Sequence, residues 1–434
     1  MSAIYQRLST LSFTRPSGTE EERKAANFLA NEITSIGFKP EIEEFSYERN
    51  IPVTATLEAV LEDGSTKVFP VTGLIDSAPT PPEGSEAEFF YLKSFDEVSL
   101  SKIQGKIVLL HDRLSHEEYR RLRKAGIAAY ITTSGTVRDT YENSDLETGR
   151  FRDNLHDLGA VPAFTIRLID AVALLRLQPK KLRYTLRLET QSLISQNIVV
   201  TVPGTEIPEE TLIVGAHYDS VPFSKGAWDN GAGAVQVVSL LEHLRDRPPR
   251  RTVTAILFGS EETGLRGSSS YCFQHQATLS SVKAMINVDV GGSILGKEII
   301  FVTATEQTEV WVQSLLKEIG YAAVTTLKVM SSDSAVFSDY GIPSISMGQG
   351  APRGGGYMHT RYDNMDLIVP QVLEAEAGWL ATLVDRLTDA VVFPVPRSIP
   401  EKLRKDLIDY FGKRRSIMAT LPPSEEDKPL PFRF

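Results

Sequence analysis

Apolar positions along the chain follow three rhythms. Over residues 19–36 they recur at helical spacing, with Ala25, Phe28, Leu29, Ile33 and Ile36 on one face. Ser17 or Thr19 can cap this helix, acids fill its first turn and Gly37 ends it. The stretch FKPEIEEFSYE then alternates as a strand does. Residues 51–190 break into short β-like runs (VTATLEAVL, KVFPVTGLI, GKIVLLHD, AAYITTS, VPAFTI, LRYTLRLET). Pro/Gly/Ser-rich turns such as 77–86 separate them, and helical spacing appears only near 115–125 and 167–176. From 191 onward strands and helices alternate. NIVVTVPG, TLIVGAH, TVTAILFG, KAMINVDV, KEIIFVT and GIPSISMG read as strands, and 231–246, 264–275, 306–319 and 370–392 as helices. Nearly continuous apolar strands between helices predict an α/β fold, a three-layer sandwich with a mostly parallel central sheet buried on both faces. The pattern divides the chain into a discontinuous α/β domain (1–50 and 191–392), a β-rich insert (51–190) and a C-terminal extension (393–434) with one short amphipathic helix.

Composition narrows what such a fold can do. The chain has 434 residues, 41% hydrophobic and 24% charged, as a packed protein of two or three domains would. Its formal charge of −10 argues against a dedicated nucleic-acid binder. No apolar run reaches the ~18 residues of a membrane span. Residues 1–20 lack the apolar core of a secretory signal, so a cytoplasmic location is expected. One cysteine, Cys272, excludes an intrachain disulfide and every Cys-rich zinc site. A metal would have to be held by the 7 histidines and the carboxylates.

In open α/β sheets ligands bind beyond the carboxyl ends of the strands. His217 and Asp219 follow TLIVGA, Glu261 and Glu262 follow TVTAILFGS, and Asp289 closes KAMINVDV. Asp229 precedes a helix in WDNGAGA, where an Asp alone would read as an N-cap. Beside the other groups it reads as a ligand, and Gly231, Ala232 and Gly233 allow close backbone approach. His359 sits in a loop after the strand near 342–347, beside glycines 354–356. Together these groups make a nitrogen and oxygen donor set suited to Zn²⁺, with Mn²⁺ or Co²⁺ also accommodated. Two metals need a shared carboxylate, for which Asp229 is best placed. One of the adjacent glutamates can bind metal while the other acts as base; the pattern alone does not say which. Asp219 suits the orientation of His217. Other motifs fail: HEEYR at 116–120 is not HExxH, GGSILGKE at 291–298 lacks the P-loop Ser/Thr, and GAGAVQ at 231–236 lacks the last glycine of a dinucleotide fingerprint.

GAHYDS (215–220), WDNGAGA (228–234), SEETGLRGSSSY (260–271), NVDVGG (287–292), SSDSAVFSDYGIPSI (331–345) and HTRYDNMDLI (359–368) occur in succession. In these motifs the chain resembles the co-catalytic di-zinc exopeptidases related to aminopeptidase Y and bacterial leucyl aminopeptidase, with glutamate carboxypeptidase II and transferrin receptor more distant. The insert resembles a protease-associated domain. The resemblance implies two Zn²⁺ per chain, one on His217 and Asp289 and the other on Glu262 and His359. Asp229 would bridge them through a cis Asp229–Asn230 peptide, with Glu261 as general base and Asp219 orienting His217. It implies an aminopeptidase acting on peptides, or a carboxypeptidase or dipeptidase of the same clan. A glutaminyl-cyclase-like activity or a non-catalytic binding scaffold are the other expectations weighed, and a homodimer is compatible with all. Asp333 and Asp363 match family positions of structural or supporting role. Trp228 and Val329 depart from the family pattern, and the latter leaves the oxyanion-stabilising group open between Tyr357, Tyr340 and others.

Overall fold

The computed structural model describes residues 2–110, 114–137, 139–294, 296–351, 357–413 and 415–421. His111, glycines 354–356 and the Pro- and charge-rich end from 422 lie outside the described residues. The chain forms two compact units, one of Met1–Ser46 with Ile194–Phe434 and one of Tyr47–Leu193.

The first unit is built on a mixed sheet. Across it run Val324–Leu327, Lys297–Thr303, Ser344–Gly350, Val282–Val288, Ile207–His217, Arg251–Phe258 and the end of Lys181–Val202. Ser344–Gly350, Val282–Val288, Ile207–His217 and Arg251–Phe258 are mutually parallel, so their carboxyl ends emerge on one edge. Lys297–Thr303 and Lys181–Val202 join this block antiparallel on either side. Both faces are buried, as the continuous apolar runs predict. Leu212, Val214 and Ala216 pack with helices Ala3–Leu11, Glu20–Ser35, Ala232–Asp246 and Pro370–Asp389. Ile213, Ile256 and Phe258 face the other way, against Tyr271 and Cys272 of Arg266–Gln274 and Val336 and Phe337 of Asp333–Asp339. The sandwich therefore has helices on both sides of the sheet. Helix Glu401–Phe411 packs through Leu403 and Leu407 near Ala335, and buried Asp339 accepts bonds from Ser416 Oγ and the Ile417 and Met418 amides.

The second unit is β-rich. Ser85–Tyr91, Ile107–Leu109, Ala129–Ser134 and Ala163–Arg167 run parallel in that order, with Val71–Gly73 antiparallel at the end. Its main helices are His116–Ala125 and Leu168–Leu177. His116 opens the first of these on a Ser115/Glu118 capping box.

Several elements differ from the pattern reading. FKPEIEEFSYE and VTATLEAVL form one strand, Glu41–Val60, extended straight through Pro52. LRYTLRLET and NIVVTVPG likewise join in Lys181–Val202, the polar segment between them being extended as well. Helix Ala3–Leu11 was hidden by its length: only Ile4, Leu8 and Leu11 mark its buried face. No helix of the described residues is long and apolar enough to cross a membrane.

Candidate metal centre

The strand ends bring the expected residues together. His217, Asp229 and Asp289 form one group of three donors, and Asp229, Glu262 and His359 form a second, each with ligand atoms within 4.8 Å of one another. Asp229 belongs to both and uses different oxygens. Its Oδ1 lies 3.2 Å from His217 Nε2, and its Oδ2 lies 3.1 Å from His359 Nε2. His217 Nε2 is also 3.2 Å from Asp289 Oδ1, and His359 Nε2 is 3.2 Å from Glu262 Oε2. Glu261 belongs to neither group.

Local backbone explains how each donor is aimed. Asp229 precedes helix Ala232–Asp246, and the Asp229–Asn230 peptide is cis. Asn230 ties this turn to the neighbouring strand end: its Oδ1 accepts from the Gly233 and Val290 amides, and its Nδ2 donates to Val288 O at 2.8 Å. Asp229 and Asp289 are thereby fixed relative to each other. Asp363, fully buried, accepts from the amides of Trp228 at 2.7 Å and Asp229 at 3.1 Å. Asp219 Oδ1 sits 3.3 Å from His217 Nδ1 and accepts from the Glu261 amide at 3.0 Å. Its Oδ2 accepts from the Glu262 amide at 3.1 Å and from Ser17 Oγ at 2.7 Å.

The electrostatics are those of crowded carboxylates. Glu262, with Asp229, pushes His359 up to about 12 against the effect of burial. Burial opposes charge on His217, but Asp289, Glu261, Asp219 and Asp229 outweigh it and hold the imidazole well above its ordinary value. Burial would raise Asp229, yet the two histidines hold it below the usual carboxylate range. Glu261 and Glu262 are both raised, first by burial and then by neighbouring carboxylates. Glu262 Oε1 is buried without a hydrogen-bond partner. Two imidazole nitrogens and several carboxylate oxygens converging at this spacing suit divalent cations. Such ions would relieve the repulsion that protons relieve here.

Tyr357 is buried, its hydroxyl bonded to Ser293 Oγ and its ring 4.9 Å from that of Trp228, whose Nε1 donates to Gln349 Oε1. Trp228 is thus part of the wall behind Asp229. Tyr340 lies beside Cys272 and Asp339. His243 pairs with Asp385, His275 with Glu43, and His156 meets the ring of Phe151 edge-on. Pattern reading missed Arg15, Ser17 and Glu22 as neighbours of the site. The only signal for Ser17 and Glu22 was a cap-like run before a helix.

Residues 197–384 match peptidase family M28, and every donor described above falls in that segment. The similarity to this peptidase family is thus carried by the segment that holds the site. Over 419 residues it is 28% identical to aminopeptidase YwaD of Bacillus subtilis, covering 92% of this chain and 86% of that protein. It is 25% identical to human carboxypeptidase Q over 402 residues, 86% of this chain and 83% of the relative. Among solved structures, BSAP, a zinc aminopeptidase from Bacillus subtilis, aligns with a TM-score of 0.72 at 23% identity over 92% of this chain and 98% of its own. A peptidase M28 precursor from Shewanella amazonensis aligns at 0.69 and 23% identity, covering 92% and 94%. These two establish the shared fold.

Proposed function

We propose that this chain is a zinc aminopeptidase that removes N-terminal residues from peptides. The observation that carries the reading is the pair of three-donor groups joined through the two oxygens of Asp229. His217 and Asp289 would hold one zinc, Glu262 and His359 the other, and Asp229 both. Bound zinc supplies Lewis acidity toward water and the scissile carbonyl. Glu261, adjacent to a ligand yet outside both groups, takes the proton of the attacking water and returns it to the leaving amine. Asp219 holds the Glu261 and Glu262 amides and faces His217 Nδ1, fixing base and imidazole together. We also propose that 51–190 is a protease-associated module and that the catalytic domain is the discontinuous 1–50 with 191–392.

The choice of the amino end is supported by the aminopeptidase YwaD relative. A second reading, a carboxypeptidase or dipeptidase, is favoured by the carboxypeptidase Q relatives of similar coverage. A panel of aminoacyl-nitroanilides, N-acetylated peptides and free dipeptides separates the two, with metal analysis on the same sample. Release from free-amine substrates with two zinc per chain is expected. Cleavage of N-acetylated peptides alone would transfer the assignment to the second reading.

A further inference from the structure

The loop bearing Glu261 and Glu262 is held by a segment some 238 residues earlier in the chain, directly through Glu22 and indirectly through the Ser17–Asp219 bond. Three consecutive amides, of Ser260, Glu261 and Glu262, donate to two buried carboxylates. Ser260 N and Oγ donate to Glu22 Oε1 at 2.7 and 3.0 Å. The Glu261 and Glu262 amides take the two oxygens of Asp219. One turn of the N-terminal segment grips both carboxylates from behind. Ser17 Oγ donates to Asp219 Oδ2 at 2.7 Å, and the Gly18 amide donates to Glu22 Oε2 at 2.6 Å. Gly18 lies at φ 73, where a side chain would be strained. Arg15, entirely buried, donates to the carbonyls of Leu11, Phe13, Tyr218, Lys225 and Gly226. It thus ties the same turn to the loop between Asp219 and Asp229.

Helix capping accounts for only part of this. Thr19 already caps helix Glu20–Ser35 by accepting from the Glu22 amide. Glu22 Oε1 reaches instead across to Ser260 and to Ser195 Oγ at 3.0 Å. Ser260 sits at φ 54, a left-handed conformation uncommon for a residue with a side chain. Such a residue persists where its surroundings over-determine it, and here Glu22 takes both of its donors. The left-handed turn at Ser260 sets the direction in which the next two side chains leave the strand.

We infer that residues 15–22 form a positioning bracket for the Glu261–Glu262 pair, with Ser17 and Glu22 as its positioning residues. The inference rests on Glu261 being the general base. Ser17 acts through Asp219 on both glutamates and on His217, so it should influence metal affinity as well as turnover. Glu22 acts through Ser260 on the direction of the pair, and should influence turnover through Glu261 and metal affinity through Glu262. A displacement of 1 Å at a reacting group costs about 10²-fold in rate.

The test uses full-length Ser17→Ala, Ser17→Thr, Glu22→Gln and Glu261→Gln. Zinc affinity is measured by competition with a chromophoric chelator, kcat and KM on the best nitroanilide, and folding by circular dichroism. Ser17→Ala is expected to weaken zinc binding about threefold or more, less than the roughly 10–100-fold that loss of a direct partner of a metal ligand costs, because it acts through Asp219. Ser17→Thr, which keeps the hydroxyl, is expected to restore it. Glu22→Gln is expected to lower kcat about tenfold or more and, through Glu262, to weaken zinc binding as well. Wild-type zinc affinity in Ser17→Ala, or a Ser17→Thr variant as impaired as Ser17→Ala, would overturn the bracket. So would losses that track the unfolded fraction. Should Glu22→Gln not fold, the Ser17 pair still decides. A fully active Glu261→Gln would instead remove the assignment of the base, while the chelator measurement on Ser17→Ala continues to judge the bracket.

Discussion

Glu261 and Glu262 are adjacent in the chain and share Asp219 as partner for their amides, yet their side chains have different surroundings. Glu262 Oε2 lies 3.2 Å from His359 Nε2, within a three-donor group, whereas Glu261 stands outside both groups. A pattern of two neighbouring acids could not separate them, because the difference arises from the direction each side chain takes after the turn at Ser260. Glu261→Gln keeps the shape and removes the basic oxygen. It is expected to retain two zinc ions and to lose about 10²–10⁴-fold in kcat, the usual contribution of a general base. Steady-state kinetics with metal analysis on one preparation measures both, and near-normal turnover would exclude Glu261 as the base. His217, Asp289 and the Glu261–Glu262 pair were legible because polar residues at the ends of apolar strands stand out against the pattern, whereas Asp229 and His359 were read only beside those groups. Ser17 and Glu22 were not legible, because a Ser before a helix reads as an ordinary cap and a Glu in its first turn as an ordinary dipole partner; Arg15 shows no pattern along the chain that marks it.

Among elements, helix Ala232–Asp246 sets the scale of tolerance. Its second residue, Gly233, packs so closely that an added Cβ would lie 2.4 Å from Asn230 Oδ1 and 2.6 Å from Val288 O. Gly233→Ala should gain up to about 1 kcal/mol of helix propensity. Overpacking against a backbone oxygen costs about 1–3 kcal/mol, so the net is a loss. The clash also presses on the residue that ties Asp229 to Asp289. The variant is therefore expected to unfold at lower urea concentration and to bind zinc more weakly than wild type. A variant as stable as wild type with unchanged zinc affinity would show that the helix start can shift freely. Most elements of this unit were readable from periodicity, since both faces of its strands are buried and few polar residues interrupt them. Boundaries failed where a strand continued through a proline or a polar stretch, as in Glu41–Val60 and Lys181–Val202. There, a proline or a polar stretch did not end the strand as its local preference would suggest.

For the whole molecule, metal and protons compete for one cluster of carboxylates. Burial first, and then Asp219, pushes Glu22 up to about 8; burial likewise lifts Asp333 and Asp363 to about 7. A carboxyl with a folded pKa above its unfolded value of about 4 takes up a proton on folding between the two. Its contribution to stability is therefore lost as pH rises through that window. His359, raised to about 12 chiefly by Glu262, acts in the same direction. Its contribution is complete below about 6.5 and fades as pH climbs. Chelator-treated protein is expected to show a Tm that falls from about pH 5 to about pH 8. Saturating zinc should raise Tm more at the upper pH, where its ligands are deprotonated. Calorimetry at both pH values checks this, and a flat or rising Tm in the metal-free protein would refute it. The hydrogen bonds from Ser17 to Asp219 and from Ser260 to Glu22 join positions 202 and 238 residues apart, with the Tyr47–Leu193 unit lying between them in the chain. Such contacts must wait for the intervening loop to close. At about 5–20 residues per second of synthesis, Ser17 emerges roughly ten to forty seconds before Asp219 does. His359 emerges later still, so a nascent chain has no complete metal centre, and hydrolytic competence arrives only after both units have been made.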